Sequence, residues 1–150
     1  MKRVLLLLCC LFVMVSAASA KARSLGAGVI IGEPTGITVK ALKPGKVAVD
    51  GAVAWSLGKG GQLHLHGDFL FHNFSIFTFY DVGTSLYYGA GARVKLREDT
   101  VLGIRIPVGL SYMLDSPDLE IFAELVPVID VLPGTDFAVD AGIGIRYYFR

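Results

Sequence analysis

Apolar and polar residues alternate one by one along most of this chain. The last segment is the plainest case. Phe137, Val139, Ala141, Ile143, Ile145, Tyr147 and Phe149 take the odd positions, with Ala138, Asp140, Gly142, Gly144, Arg146 and Tyr148 between them. Successive side chains of a strand point to opposite faces, so a period of two predicts a strand with one greasy face. A helix would set Asp140 and Arg146 near its apolar stripe and would be weakened by the glycines. The same alternation recurs over 119–131, 102–112, 86–97, 63–72 and 47–57, with shorter strands near 25–32 and 36–42. Turn residues separate these segments, among them Glu33-Pro34-Thr35-Gly36, Lys43-Pro44-Gly45-Lys46, Asp115-Ser116-Pro117-Asp118 and Pro133-Gly134-Thr135-Asp136. The link over about 73–84 is longer and aromatic, and either an extra turn of strand or a folded loop suits it. Eight strands with short links predict an all-β, up-and-down antiparallel meander. Eight is also the smallest usual number for a closed barrel.

The two faces differ in more than polarity. The greasy face carries Trp55, Phe69, Phe71, Tyr88 and Tyr112 among many Leu, Ile and Val, and no charge. The other carries Lys40, Asp50, Asp68, Arg93, Lys95, Arg97, Arg105, Glu120, Glu124, Asp130, Asp140 and Arg146, six acids and six bases. It is filled out with small residues such as Gly26, Gly28, Ala52, Gly89, Gly91, Gly103, Gly109 and Gly142. A narrow eight-stranded barrel holds little more than its own side chains. Small residues with matched charges suit such an interior, and the bulky face then points out to lipid, as in a transmembrane β-barrel. The inverse, a soluble lipocalin-like binding barrel with the greasy face inside, is the alternative.

The start of the chain has a different pattern. Lys2 and Arg3 precede an unbroken apolar run of 12 residues, Val4 to Val15, and small residues ending in Ala18-Ser19-Ala20. This predicts a secretory signal peptide over 1–20, cleaved after Ala20, with a barrel domain over 21–150. A run of this length spans about 18 Å as a helix, short of a roughly 30 Å hydrocarbon core. Cys9 and Cys10 lie inside the run without the small preceding residue that a lipid-attachment site needs. The mature chain therefore has no cysteine, which excludes disulfides and thiol chemistry. Cleavage takes Lys2 and Arg3 from the 14 basic residues and leaves 12 against 13 acidic ones. That balance gives no electrostatic footprint for nucleic acid. The whole chain is 53% hydrophobic and 18% charged, with 18 Gly, which excludes a disordered protein and argues against a helical bundle.

Charges in a narrow lumen are costly unless paired. The inner residues Asp50, Asp68, Arg93, Lys95, Arg105, Glu120, Glu124, Asp130, Asp140 and Arg146 are therefore expected to form a structural network rather than an ion path. Arg146 is expected to pair with Glu120 or Glu124. His64 and His66, two apart on one strand, form a weak zinc-like pair that Asp68 or Glu120 would have to complete. Lumen filling with hydrogen bonds to Asp68 or Glu124 is the simpler reading, and no metal or other cofactor is expected. A lipid-modifying active site built on His64 and Ser56 lacks a nucleophile motif such as Gly-x-Ser-x-Gly, so no enzyme is expected. Gly89-Ala90-Gly91-Ala92-Arg93 and Gly142-Ile143-Gly144-Ile145-Arg146 lack the strand-to-helix setting of a phosphate loop. Trp55, Tyr80, Tyr88, Tyr112, Tyr147 and Phe149, near predicted strand ends, suit interfacial aromatic belts.

With these features the chain over about 24–149 resembles the small eight-stranded outer-membrane barrels of Gram-negative bacteria, the OmpA-like, OmpX-like and OmpW-like group. It also resembles a bacterial family of such barrels with an early Gly-Glu-Pro-Thr-Gly turn, here Gly32-Glu33-Pro34-Thr35-Gly36. The resemblance implies a location in the outer membrane, outer-membrane lipid as surroundings and a non-enzymatic structural or surface role. Passage or binding of a small apolar molecule is the alternative it implies. It further implies that the barrel-assembly machinery reads Ala141, Ile143, Ile145, Tyr147 and Phe149. Arg150 departs from that signature, which ends on the aromatic. The peptidoglycan-binding domain of OmpA-like proteins and the long loops of OmpX-like ones have no counterpart in this sequence.

Overall fold

The computed structural model describes residues 24–56, 61–73 and 83–149. The signal peptide expected over 1–20, most of the link over 73–84, Tyr80 and Arg150 lie outside these residues. The alternating segments form β1 (Ser24–Glu33), β2 (Thr35–Lys43), β3 (Val47–Ser56), β4 (Gln62–Asn73), β5 (Thr84–Leu96), β6 (Val101–Arg105), β7 (Val108–Asp115), β8 (Asp118–Leu132) and β9 (Asp136–Phe149). Every pairing is antiparallel, neighbours in sequence are neighbours in the sheet except β6 and β7, which follow one another along one position, and β1 also pairs with β9. The sheet thus closes into a hydrogen-bonded ring.

The sixth expected strand, 102–112, is divided into β6 and β7. Both lie between β5 and β8, and the register runs on across the division: Arg105 faces Gly91 and Val128, and Val108 faces Tyr88 and Leu125, with a bulge against β8 only between Leu102 and Gly103. The division falls at Ile106-Pro107 because proline has no amide hydrogen to give the ladder. Two bonds carry the ladder across it, Gly89 N–H to Pro107 O at 3.0 Å and Ile106 N–H to Pro127 O at 3.0 Å. The ring therefore has eight strand positions. Stepping between paired residues from Arg146 through Gly28, Thr38, Ala52, His66, Arg93, Gly103 and Asp130 returns to β9 at Asp136, ten residues away. Such a stagger tilts the strands by about 40° to the ring axis.

The side chains divide as the alternation predicts. Val29, Ile37, Trp55, Phe69, Tyr88, Ile104, Leu125 and Ile143 are exposed on the outer face, and Ile143 keeps 63% of its surface. Inside, Ile30, Ala48, Leu70, Tyr87 and Phe122 pack into an apolar cluster, and the remaining interior is polar and charged.

Candidate functional site

The inward rows supply the charges from every ring position but the first: Lys40 on β2, Asp50 on β3, Asp68 on β4, Arg93 on β5 and Arg105 on β6. Strand β8 adds Glu120, Glu124 and Asp130, and β9 adds Asp140 and Arg146. Inward glycines give these groups room. A Cβ at Gly91 would strike the Asp68 carboxylate, and one at Gly103 would meet the Asp130 carboxylate and the Arg93 side chain. Gly109 and Gly144 yield their space to the rings of Tyr87 and Phe122.

Toward the end of the ring that holds the β8–β9 link, Arg93 binds two carboxylates. Its Nη2 lies 2.7 Å from Asp130 Oδ2 and its Nη1 2.8 Å from Asp140 Oδ2. Midway, Arg105 Nε donates to Asp68 Oδ1 at 3.0 Å, with Asp140 at 3.5 Å and Glu124 at 3.7 Å. Toward the end that holds Phe149, Glu120 accepts from Lys40 Nζ at 2.7 Å, Arg146 Nη1 at 3.2 Å and the Tyr148 hydroxyl at 2.9 Å. Arg146 also donates to Asp50 Oδ2 at 3.0 Å and Thr38 Oγ1 at 2.9 Å, and its guanidinium stacks 3.8 Å above the Phe122 ring. Tyr87 joins the last two groups: its hydroxyl donates to Glu124 at 3.0 Å, and Lys40 Nζ lies 4.9 Å from its ring centre. Charged bonds of this kind, withdrawn from water, hold strands from opposite sides of the ring together.

Of the ten inner residues named from the sequence, nine meet in these ion pairs, with Glu124 half-buried. Lys95 does not join: it is half-buried and makes no ion pair among the described residues. Arg97, counted on the charged face, lies beyond the end of β5, where its Nε donates to Asp99 O at 3.3 Å. The paired interior thus holds four bases against six acids rather than a balanced set. Lys40, Thr38, Tyr87 and Tyr148 are participants that sequence reasoning did not place in the network. The inward parity of these four was legible. Their partners across the ring were not.

His64 and His66 are buried on the inner face with ring centres 5.4 Å apart. Neither nitrogen of His64 has a hydrogen-bond partner among the described residues. The bonds expected to Asp68 or Glu124 are not made from His64; Asp68 accepts from Arg105 and Glu124 from Tyr87. Among the described residues no group of three side chains forms that could hold a metal ion. The backbone of Ser56 pairs with Gln62, two residues along the ladder from the Ala54–His64 pair. The residues of the expected assembly signal, Ala141, Ile143, Ile145, Tyr147 and Phe149, all face outward on β9, with Tyr147 and Phe149 edge to face at 5.2 Å.

No family model matches the sequence, and no curated protein matches it. Among solved structures the chain is similar to the N-terminal β-barrel domain of Pseudomonas aeruginosa OprF. The two are 16% identical with a TM-score of 0.60, over 84% of this chain and 96% of that one. The likeness shows a shared all-β barrel fold.

Proposed function

We propose that this chain is a non-enzymatic outer-membrane β-barrel of a Gram-negative bacterium, with a structural or surface role and an interior closed by its own charge network. One observation carries the reading. Between the strand ends the outer face is apolar all round the ring, its charges being only Glu33 and Lys43 at the last residues of β1 and β2 among the described residues, while the buried charges all lie on the inner face. A soluble barrel needs the reverse, so the lipocalin-like alternative loses its basis. Lipid accepts such an outer face, and ring closure leaves no long row of backbone groups unmet over most of the circumference. The likeness to an outer-membrane barrel domain supports the same location. Export through the signal peptide over 1–20 and recognition of β9 by the assembly machinery complete the proposal.

Two measurements on the full chain test it. Isolated membranes washed with alkaline carbonate should retain the protein, and only detergent should release it; release by carbonate would overturn the membrane reading. Reconstituted in liposomes, the protein should give no ion conductance above that of empty liposomes, because paired side chains fill the lumen. Steady conductance or uptake of small apolar solutes would instead favour a barrel that passes such molecules.

A further inference from the structure

The ring is not equally tall all round. Strand β1 stops at Glu33, opposite Ala141 on β9, and the chain turns there into β2. Strand β9 continues to Asp136, and over 136–140 it pairs with β8 alone. Among the described residues, no strand covers the other edge of this stretch. The Phe137 amide instead donates to the carboxylate of its neighbour Asp136 at 2.9 Å. The outward side chains of the stretch are Phe137 and Val139, 66% and 50% exposed, and Ile129 stands opposite Phe137 on β8. The open edge therefore lies within the apolar belt, where unpaired backbone groups are expensive.

We propose that the edge Asp136–Asp140 is a docking site for an extended segment of a partner protein, added as a further strand beside β9. The inference rests on the membrane reading above. Backbone groups call for a backbone partner, as in strand addition generally. The register then sets the partner's chemistry: apolar residues opposite Phe137 and Val139, facing lipid, and a basic residue opposite the exposed Asp136. A second copy of this chain fits poorly. Copies inserted the same way round run their β9 strands in the same direction. An antiparallel self-pair centred on Ala138 would also set Asp136 against Asp140, like charges face to face.

The test is amide hydrogen exchange on the full chain in lipid vesicles, following 137–140 and 142–149 separately. The probe is a synthetic peptide of alternating valine and lysine. Without it, 137–140 should exchange about tenfold or more faster than 142–149. The probe should slow 137–140 by a similar factor and leave 142–149 unchanged. The same peptide N-methylated at alternate residues, and so unable to pair, should do nothing. Equal protection of both stretches without the probe, no slowing by it, or equal slowing by the methylated control would each overturn the proposal. Carbonate washing of the same vesicles separates the two failures: a protein retained in the membrane without a response overturns strand docking alone, whereas a released protein overturns the membrane reading beneath it.

Discussion

Glu120 accepts from Lys40, Arg146 and Tyr148 at once, so its loss strands buried Lys40 and leaves Arg146 with Asp50 as its one carboxylate. Breaking a buried pair from one side costs about 3–5 kcal/mol. Glu120→Gln and Arg146→Ala should each destabilise the fold on that scale, while Arg97→Ala, at the exposed turn, should change it by less than about 0.5 kcal/mol. Urea unfolding in lipid vesicles measures all three. Because Glu120 is shared and Arg146 also holds Asp50, the double change Arg146→Met with Glu120→Gln should recover little, since Lys40 and Asp50 are both left alone. Adding Lys40→Met and Asp50→Asn should recover much more. Full recovery by the double change would show that Lys40 draws nothing from Glu120. The pairing of Arg146 with a glutamate was legible because β8 and β9 are neighbours in sequence and in space. Its bond to Asp50 was not, because that contact joins strands three positions apart around the ring.

In β9 the alternation of large and small residues sets which face meets lipid and which meets the charges. Ile143 and Gly142 are the sharpest test of that parity. An arginine at a mid-bilayer lipid-facing position costs about 2–4 kcal/mol. Ile143→Arg should therefore impair folding into vesicles by that amount, whereas Ile143→Leu should cost little. Folding of the arginine variant as readily as the parent, followed by heat-resistant gel mobility, would invert the facing. Other strands were just as readable, since alternation survives wherever one face is buried. The division of β6 from β7 was less so. Pro107 keeps the parity of its strand, and only its missing amide marks the place.

At the level of the whole molecule, parity and turn residues made the closed eight-position ring legible, since an even meander of short links has few other solutions. The stagger of ten residues and the short wall at the β1–β2 turn were not, because register depends on how strands slide against one another. The charge balance was misjudged for a related reason: Arg97 has the right parity but stands past its strand's end, and Lys95, next to that end, meets no carboxylate among the described residues. The central claim, an apolar outer face in contact with lipid, can be measured without altering the chain. Trp55 is the only tryptophan of the sequence and keeps 52% of its surface on the outer face of β3. In vesicles of lipids brominated on the acyl chains its fluorescence should be strongly quenched and blue-shifted, while a water-soluble quencher should act weakly. Emission typical of water, unaffected by brominated lipid and readily quenched from solution, would contradict the account.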